Sequence, residues 1–476
     1  MRNALLLTVT LTVTTLLAAA PGDLIWQTPV GLGGANSVAV AGGRVYSMSG
    51  DGILGCVRAT NGAVIWTVDL GSVSDCSPLV WGDYVYVGCD DRMHCRFASS
   101  GAAVWSYQTG GSVESSPAIS GGKVYFGSLD NYAYCLYAET GEFIWSSSAG
   151  GPVFGAPTLA LGRVYVAASN NYLYCLDAGS GAVQWSVDVG GVAYSPTVCE
   201  DRVYVIAGIP PAVLSVNALT GAVIWSAYAW EDAFGPVAAY AGRIYVHSLD
   251  RISSPLWDSY ISCLDARTGS VIWQTQTASG VESSSSPAVS CGYVYVGTEG
   301  GLCCLSALTG SVGWTYGPVE TIHSSPAVYG GCVYFQGSAI YCLEAAQWDS
   351  GEWPMYCHDI QRTGCLDKQM CVMLGEGWNL IGHGSTVAWP VNIQRLWFCD
   401  GSDRKRWDAA SAENWIQDPA FYYEIGGDVE AGYRQLGWPC PPEGSDELER
   451  GRGYWVLVNR PGLSLLVPEP EPPEEE

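Results

Sequence analysis

Long apolar runs are scarce in this chain. One lies at the start, over residues 5–17, and no other segment has the length to cross a bilayer as a helix. Extended helical periodicity is missing as well. Lysine occurs only at Lys123, Lys368 and Lys405, and 21 basic residues stand against 46 acidic ones, a net charge of −25. Such a chain repels a phosphate backbone, which argues against nucleic acid as a partner. The five histidines (His94, His247, His323, His358, His383) form no pair at metal-ligand spacing. No nucleophile motif and no glycine loop ahead of a helix is present. The residues therefore predict no catalytic, metal or cofactor site, and a binding protein rather than an enzyme.

What is abundant is Gly (59), Tyr (28) and Trp (20), with charged residues at only 14%. That mix suits short strands joined by turns, with aromatic rings between sheets. The unit Tyr174-Cys175-Leu176-Asp177-Ala178-Gly179-Ser180-Gly181-Ala182-Val183-Gln184-Trp185 reads as strand, turn and strand. It recurs so that Trp falls at 26, 66, 105, 145, 185, 225, 273 and 314, a period near 40. Each period holds four strand signals, A to D, as in Ser116-Pro117-Ala118-Ile119, Val124-Tyr125-Phe126, Tyr134-Cys135-Leu136 and Phe143-Ile144-Trp145. Four antiparallel strands per forty residues make a propeller blade.

Eight strand-B cores, from Val45-Tyr46 to Val333-Tyr334, give the fold class: all-β, an eight-bladed β-propeller of four-stranded antiparallel blades, plus a small C-terminal β domain. Residues 24–26 form a strand D with no A, B or C before it. The last repeat lacks its own strand D, so the N-terminal strand is expected to complete blade eight and pair both open edges. The tryptophans Trp66, Trp105, Trp145, Trp185, Trp225, Trp273 and Trp314 are expected to dock blade to blade.

These repeats resemble the quinoprotein-type (PQQ-like) β-propeller family, in which the turn-and-Trp segment is the tryptophan-docking motif. The resemblance covers roughly residues 23–365 and implies the fold. Through BamB-type propellers it also implies a partner-binding role in envelope assembly. Its enzymatic members imply an alternative, a quinone (PQQ)-dependent dehydrogenase. The Ala that opens the motif in the family is here Cys56, Cys95, Cys135, Cys175, Cys263, Cys304 and Cys342, with Ser215 in the fifth repeat. Enzymatic members can carry a disulfide between adjacent cysteines. Cys303 and Cys304, by contrast, lie in an ordinary strand and point to opposite faces.

Read this way, the seven repeat cysteines are buried free thiols acting as small hydrophobes. Cys357, Cys365, Cys371, Cys399 and Cys440 fall outside the rhythm and are the better disulfide candidates, with pairing open.

Function is sought where the repeat breaks. Blade six carries an insertion around residues 251–260, with Arg251, Trp257, Asp258 and Tyr260, and the loop entering the blade holds Tyr228, Trp230, Glu231 and Asp232. Both project on the face shared by D-to-A connections and B-to-C hairpins, where exposed aromatics mark a partner-binding surface. On the same face Asp75, Glu114 and His323 precede strand A and line the channel mouth, read as polar lining rather than a metal site.

Residues 1–20, with Arg2, the apolar run and Ala18-Ala19-Ala20, read as a secretory signal. The remaining divisions are 21–365 for the propeller, 366–467 for a small β module and 468–476 for an acidic Pro/Glu tail. An exported monomer binding a protein or other envelope macromolecule is expected, with no membrane span. The aromatics of the β module supply a third reading, a polysaccharide-binding surface protein.

Overall fold

The computed structural model describes residues 20–345 except 32, 33, 35, 73, 192, 193, 200, 209, 210, 229–231, 234, 251–257, 280–282, 291, 318 and 319. Beyond these it describes the backbone of strands between residues 371 and 466. The described chain is all-β, with eight antiparallel sheets of four main strands arranged as propeller blades. Blade three is representative: A is Ala118–Ser120, B Lys123–Gly127, C Tyr132–Tyr137 and D Phe143–Ser148. Strand A is three residues long because neighbouring blades converge there, strand A contacting strand A.

Strands B and C are covered on both faces by adjoining blades, so their apolar residues run on without alternation. In blade one Val45, Tyr46 and Met48 are all buried. Strand D is the outer edge and alternates instead: Val223 and Ile224 are exposed beside the half-buried Trp225.

The ring closes with the N-terminal strand. Leu24–Thr28 pairs antiparallel with Ile340–Glu344, Trp26 opposite Cys342, giving blade eight a strand D from the far end of the chain. This closure leaves neither end of the repeat array with an unpaired edge in the seam.

Each blade is fastened to the next by one recurrent joint. The turn between C and D holds Gly at positive φ, for example Gly181 at +72°, and the indole of the preceding blade lies on it. A Cβ on Gly181 would meet Trp145 Cδ2 at 2.6 Å, so only Gly permits the approach. The Trp145 Nε1–H donates to the Ala178 carbonyl at 3.2 Å, and the Tyr125 hydroxyl donates to the same oxygen at 3.1 Å. Trp105 and Tyr86 repeat this on Ala138, at 2.8 and 3.1 Å.

Trp66, Trp185, Trp225 and Trp273 likewise donate to Ala98, Ala218, Ala266 and Ala307. Trp314 lies over Gly22, from the N-terminal segment, and its Nε1 is buried without a hydrogen-bond partner. The seam thus reuses the joint with a glycine taken from the other end of the chain.

Glycine, and not the repeat cysteine, lies under the indole of the neighbouring blade. Cys135 stands opposite Trp145 on strand D and Tyr125 on strand B of its own sheet, in the middle of a Tyr–Cys–Trp row. A small side chain there lets the two rings meet, at 5.9 Å between centroids. In the C-terminal region Gly377–Gly382 pairs with Gly453–Val458, so the two Gly-Trp and Gly-Tyr-Trp segments lie side by side in one sheet.

Candidate functional site

Where the D-to-A connections reach the axis they enclose a cavity of about 240 Å³. Its wall is built from the residue before each strand-A proline or its equivalent: Ser37, Ser77, Ser116, Ser195, Ser286 and Ser325. These serines stitch neighbouring blades together. The Ser37 N–H donates to Ser77 Oγ at 3.1 Å, Ser77 N–H to Ser116 Oγ at 2.8 Å, and Ser325 N–H back to Ser37 Oγ at 2.9 Å. Ala156 and Gly235 take this place in blades four and six, where no hydroxyl is available. The serine ring was legible as the recurring Ser-Pro that opens strand A, but its role needs the circular closure.

Above the serines stand Asp75, Glu114, Phe154 and His323. Asp75 is exposed and Glu114 half-buried. Burial, and then the neighbouring Asp75 charge, raise the Glu114 carboxyl above its ordinary range. His323 Nδ1 lies 3.4 Å from Ser284 Oγ. Among the described residues no group of three or more His, Cys, Asp or Glu has the geometry to hold a metal ion.

Blade six differs from the others in length. Its B strand runs Arg243–Asp250, its C strand Asp258–Asp265 and its D strand Val271–Ser279, and Asp232–Ala233 adds a short fifth strand beside B. The extension is zipped by His247, which is 1% exposed. One ring nitrogen lies 2.7 Å from the Ser285 carbonyl of blade seven and the other 2.7 Å from Ser259 Oγ. Burial pushes the His247 imidazole down to about 4, so it is neutral at physiological pH and serves packing.

Asp250 and Asp258 face each other at the root of the inserted loop. Tyr260 lies beside them, its hydroxyl pushed up by burial and then by these two carboxylates. Tyr228 is 55% exposed at the end of blade five's strand D, and Asp232 begins the extra strand. Trp230, Glu231, Arg251 and Trp257 lie outside the described residues.

All twelve cysteines whose side chains are described are free, Cys303 and Cys304 included. Burial raises the Cys135 thiol to about 12 and the Cys175 thiol to about 11, so both are protonated and unreactive at neutral pH. Cys357, Cys365 and Cys440 lie outside the described residues, as do the side chains of Cys371 and Cys399.

The structure defines a class: a closed eight-bladed propeller whose blades are joined by indole-on-glycine contacts. Sequence comparison is more specific. The family model described as "Outer membrane protein assembly factor BamB" matches residues 12–128, 98–194, 171–256 and 257–349, and the chain belongs to this PQQ-like repeat family. No curated protein matches the chain.

Among solved structures, BamB from Moraxella catarrhalis superposes with a TM-score of 0.54 at 18% identity, over 68% of this chain and 97% of that one. The quinohemoprotein alcohol dehydrogenase ADHIIG from Pseudomonas putida HK5 gives 0.56 at 14% identity, over 68% and 76%. The computationally designed Ika8 protein gives 0.57 at 14%, over 67% and 100%. At these identities the likeness is one of fold.

The quinone of the enzymatic branch is a tricarboxylate and needs cationic partners. The channel mouth offers the carboxylates of Asp75 and Glu114, with His323 the one basic side chain among the described residues of its wall. These residues do not fit a trianionic ligand, since burial and the one neighbouring Asp75 charge already raise the Glu114 carboxyl.

Proposed function

We propose that this protein is an exported, non-catalytic propeller that binds a protein partner presenting basic side chains to its D-to-A and B-to-C face. The observation that carries the reading is the unequal use of charge on the two faces. Asp51, Asp75, Asp91, Glu114, Asp130 and Glu320 lie on this face, where Arg92 is ion-paired to Asp91 at 3.6 Å.

On the opposite side three arginines are spent within the fold, while Arg58 and Arg267 stand exposed. Arg163, Arg202 and Arg243 each donate to two carbonyls of a later turn. A net negative face of this kind steers a basic partner and disfavours an acidic one. Tyr228, Trp230, Trp257 and Tyr260 in and around blade six would supply the aromatic anchors that such surfaces use. Family membership supports a role in envelope assembly.

Crosslinking in intact cells tests the reading with two variants, the pair Asp75→Asn/Glu114→Gln and a deletion of residues 251–257. The charge variant is expected to lower partner capture several-fold at low salt and little at high salt, because exposed charges are screened. The deletion is expected to abolish capture at both. Unchanged partners in both variants would remove this face from consideration. A stoichiometric quinone taken up with Ca²⁺ by the purified chain, with alcohol oxidation, would establish the dehydrogenase instead.

A further inference from the structure

Blade eight carries a thiol where the other blades carry a longer side chain. Two residues before the core tyrosine of strand B stands a basic residue in five blades (Arg44, Lys123, Arg163, Arg202, Arg243) and tyrosine in two. That position lies diagonally across the B–C ladder from the repeat cysteine. In blade four Arg163 is opposite Asp177 and Tyr165 opposite Cys175, and Arg163 Nη1 reaches Cys175 Sγ at 3.8 Å.

Blade eight places Cys332 there. Cys332 is opposite Glu344 and Tyr334 opposite Cys342, so the two thiols share one face at diagonal positions. Both are free, and hydrogen bonding with Cys342 is the largest influence on the Cys332 thiol. The Tyr334 hydroxyl interacts with both sulfurs. Cys342 is fully buried, whereas Cys332 is half-buried and opens a path to solvent.

The diagonal spacing decides what this pair is suited to. Diagonal Cα atoms on an antiparallel ladder stand about 7–8 Å apart, while a disulfide wants them within about 7 Å. A metal ion bound to two sulfurs at about 2.3 Å each spans up to about 4.6 Å between them, which relaxes that requirement. Soft sulfur ligands suit Cu(I), zinc and iron–sulfur clusters; zinc and the clusters take four protein or solvent ligands, so a site of two sulfurs alone favours Cu(I).

We propose that Cys332 and Cys342 form a two-thiolate site for Cu(I), stapling strands B and C of the blade that closes the ring. Binding releases the two thiol protons and leaves a complex of charge −1. The Tyr334 hydroxyl donates to the sulfurs and offsets that charge. Strand C of this blade is the one that the N-terminal strand pairs with, Cys342 opposite Trp26, so the ion sits at the seam.

The test is a Cu(I) titration of the reduced, full-length chain against a chromophoric chelator, without oxygen. Cys332→Arg is the first variant, because arginine is what four sibling blades carry there, and Cys342→Ala is the second should the first not fold. Wild type is expected to hold one equivalent more than either variant. Its thermal midpoint is expected to rise with that equivalent, and theirs to stay put. Equal stoichiometry and equal midpoints overturn the proposal. So does a Cys332–Cys342 disulfide found by peptide mapping of the unreduced protein.

Discussion

Ser215 is the one residue in the row of repeat cysteines that is not cysteine, and it shows what the row requires. It stands between Tyr204 and Trp225 with its Oγ buried and without a hydrogen-bond partner. Leaving a buried hydroxyl unsatisfied costs about 1–3 kcal/mol, whereas a thiol in the same place behaves as a small hydrophobe. Ser215→Cys should therefore stabilise the protein by roughly 1 kcal/mol, seen as a higher urea midpoint with unchanged slope. Cys135→Ser should shift the midpoint the other way. The rows of cysteine were visible in the sequence as a repeat position. That they sit between two rings of one sheet was not, because cross-strand neighbours follow from register.

At the scale of the element, the C-to-D turn is the part that two blades share. Gly181 belongs to blade four by sequence and to the Trp145 pocket of blade three by contact. Gly181→Ala adds a positive-φ penalty and a clash with the indole, and should cost roughly 1–3 kcal/mol. A lower thermal midpoint with a changed tryptophan fluorescence in the native baseline would report it. An unchanged midpoint would mean that the joint tolerates separation.

The strand and turn signals of every blade were legible because period-2 patterning, Gly and Asn mark them locally. The tyrosine of strand B was read only as core. Its hydroxyl shares a carbonyl with the tryptophan of its blade, and that carbonyl belongs to the next blade.

The whole molecule depends on a strand that is nearly last in space and first in sequence. Leu24–Thr28 contributes Trp26, whose Nε1 donates to the Ala59 carbonyl at 2.8 Å, and the residues just before it contribute Gly22 beneath Trp314. Deleting residues 20–28 removes two of the eight joints at once and exposes the edge of Ile340–Glu344. The expected result is a lower thermal midpoint and concentration-dependent association, read by scanning calorimetry and sedimentation. A synthetic peptide of residues 20–30 should restore the midpoint. Failure of the peptide to do so, with the truncated chain as stable as the full one, would show that closure is made elsewhere.

By itself the sequence determined the repeat, the strand order within a blade, the count of eight and the missing strand D that its N-terminus supplies. These follow from local signals: periodicity, turn residues and an incomplete last unit. Tertiary structure decided everything that joins different repeats. Residues about forty apart along the chain meet as the serine ring, the paired Asp75 and Glu114 and the shared alanine carbonyls. No local pattern encodes those meetings, because closing the circle is what brings one blade's loop against the next. The opening tryptophans served as both kinds of evidence. Their spacing announced the blades, and only the ring showed that each one rests on its neighbour's glycine.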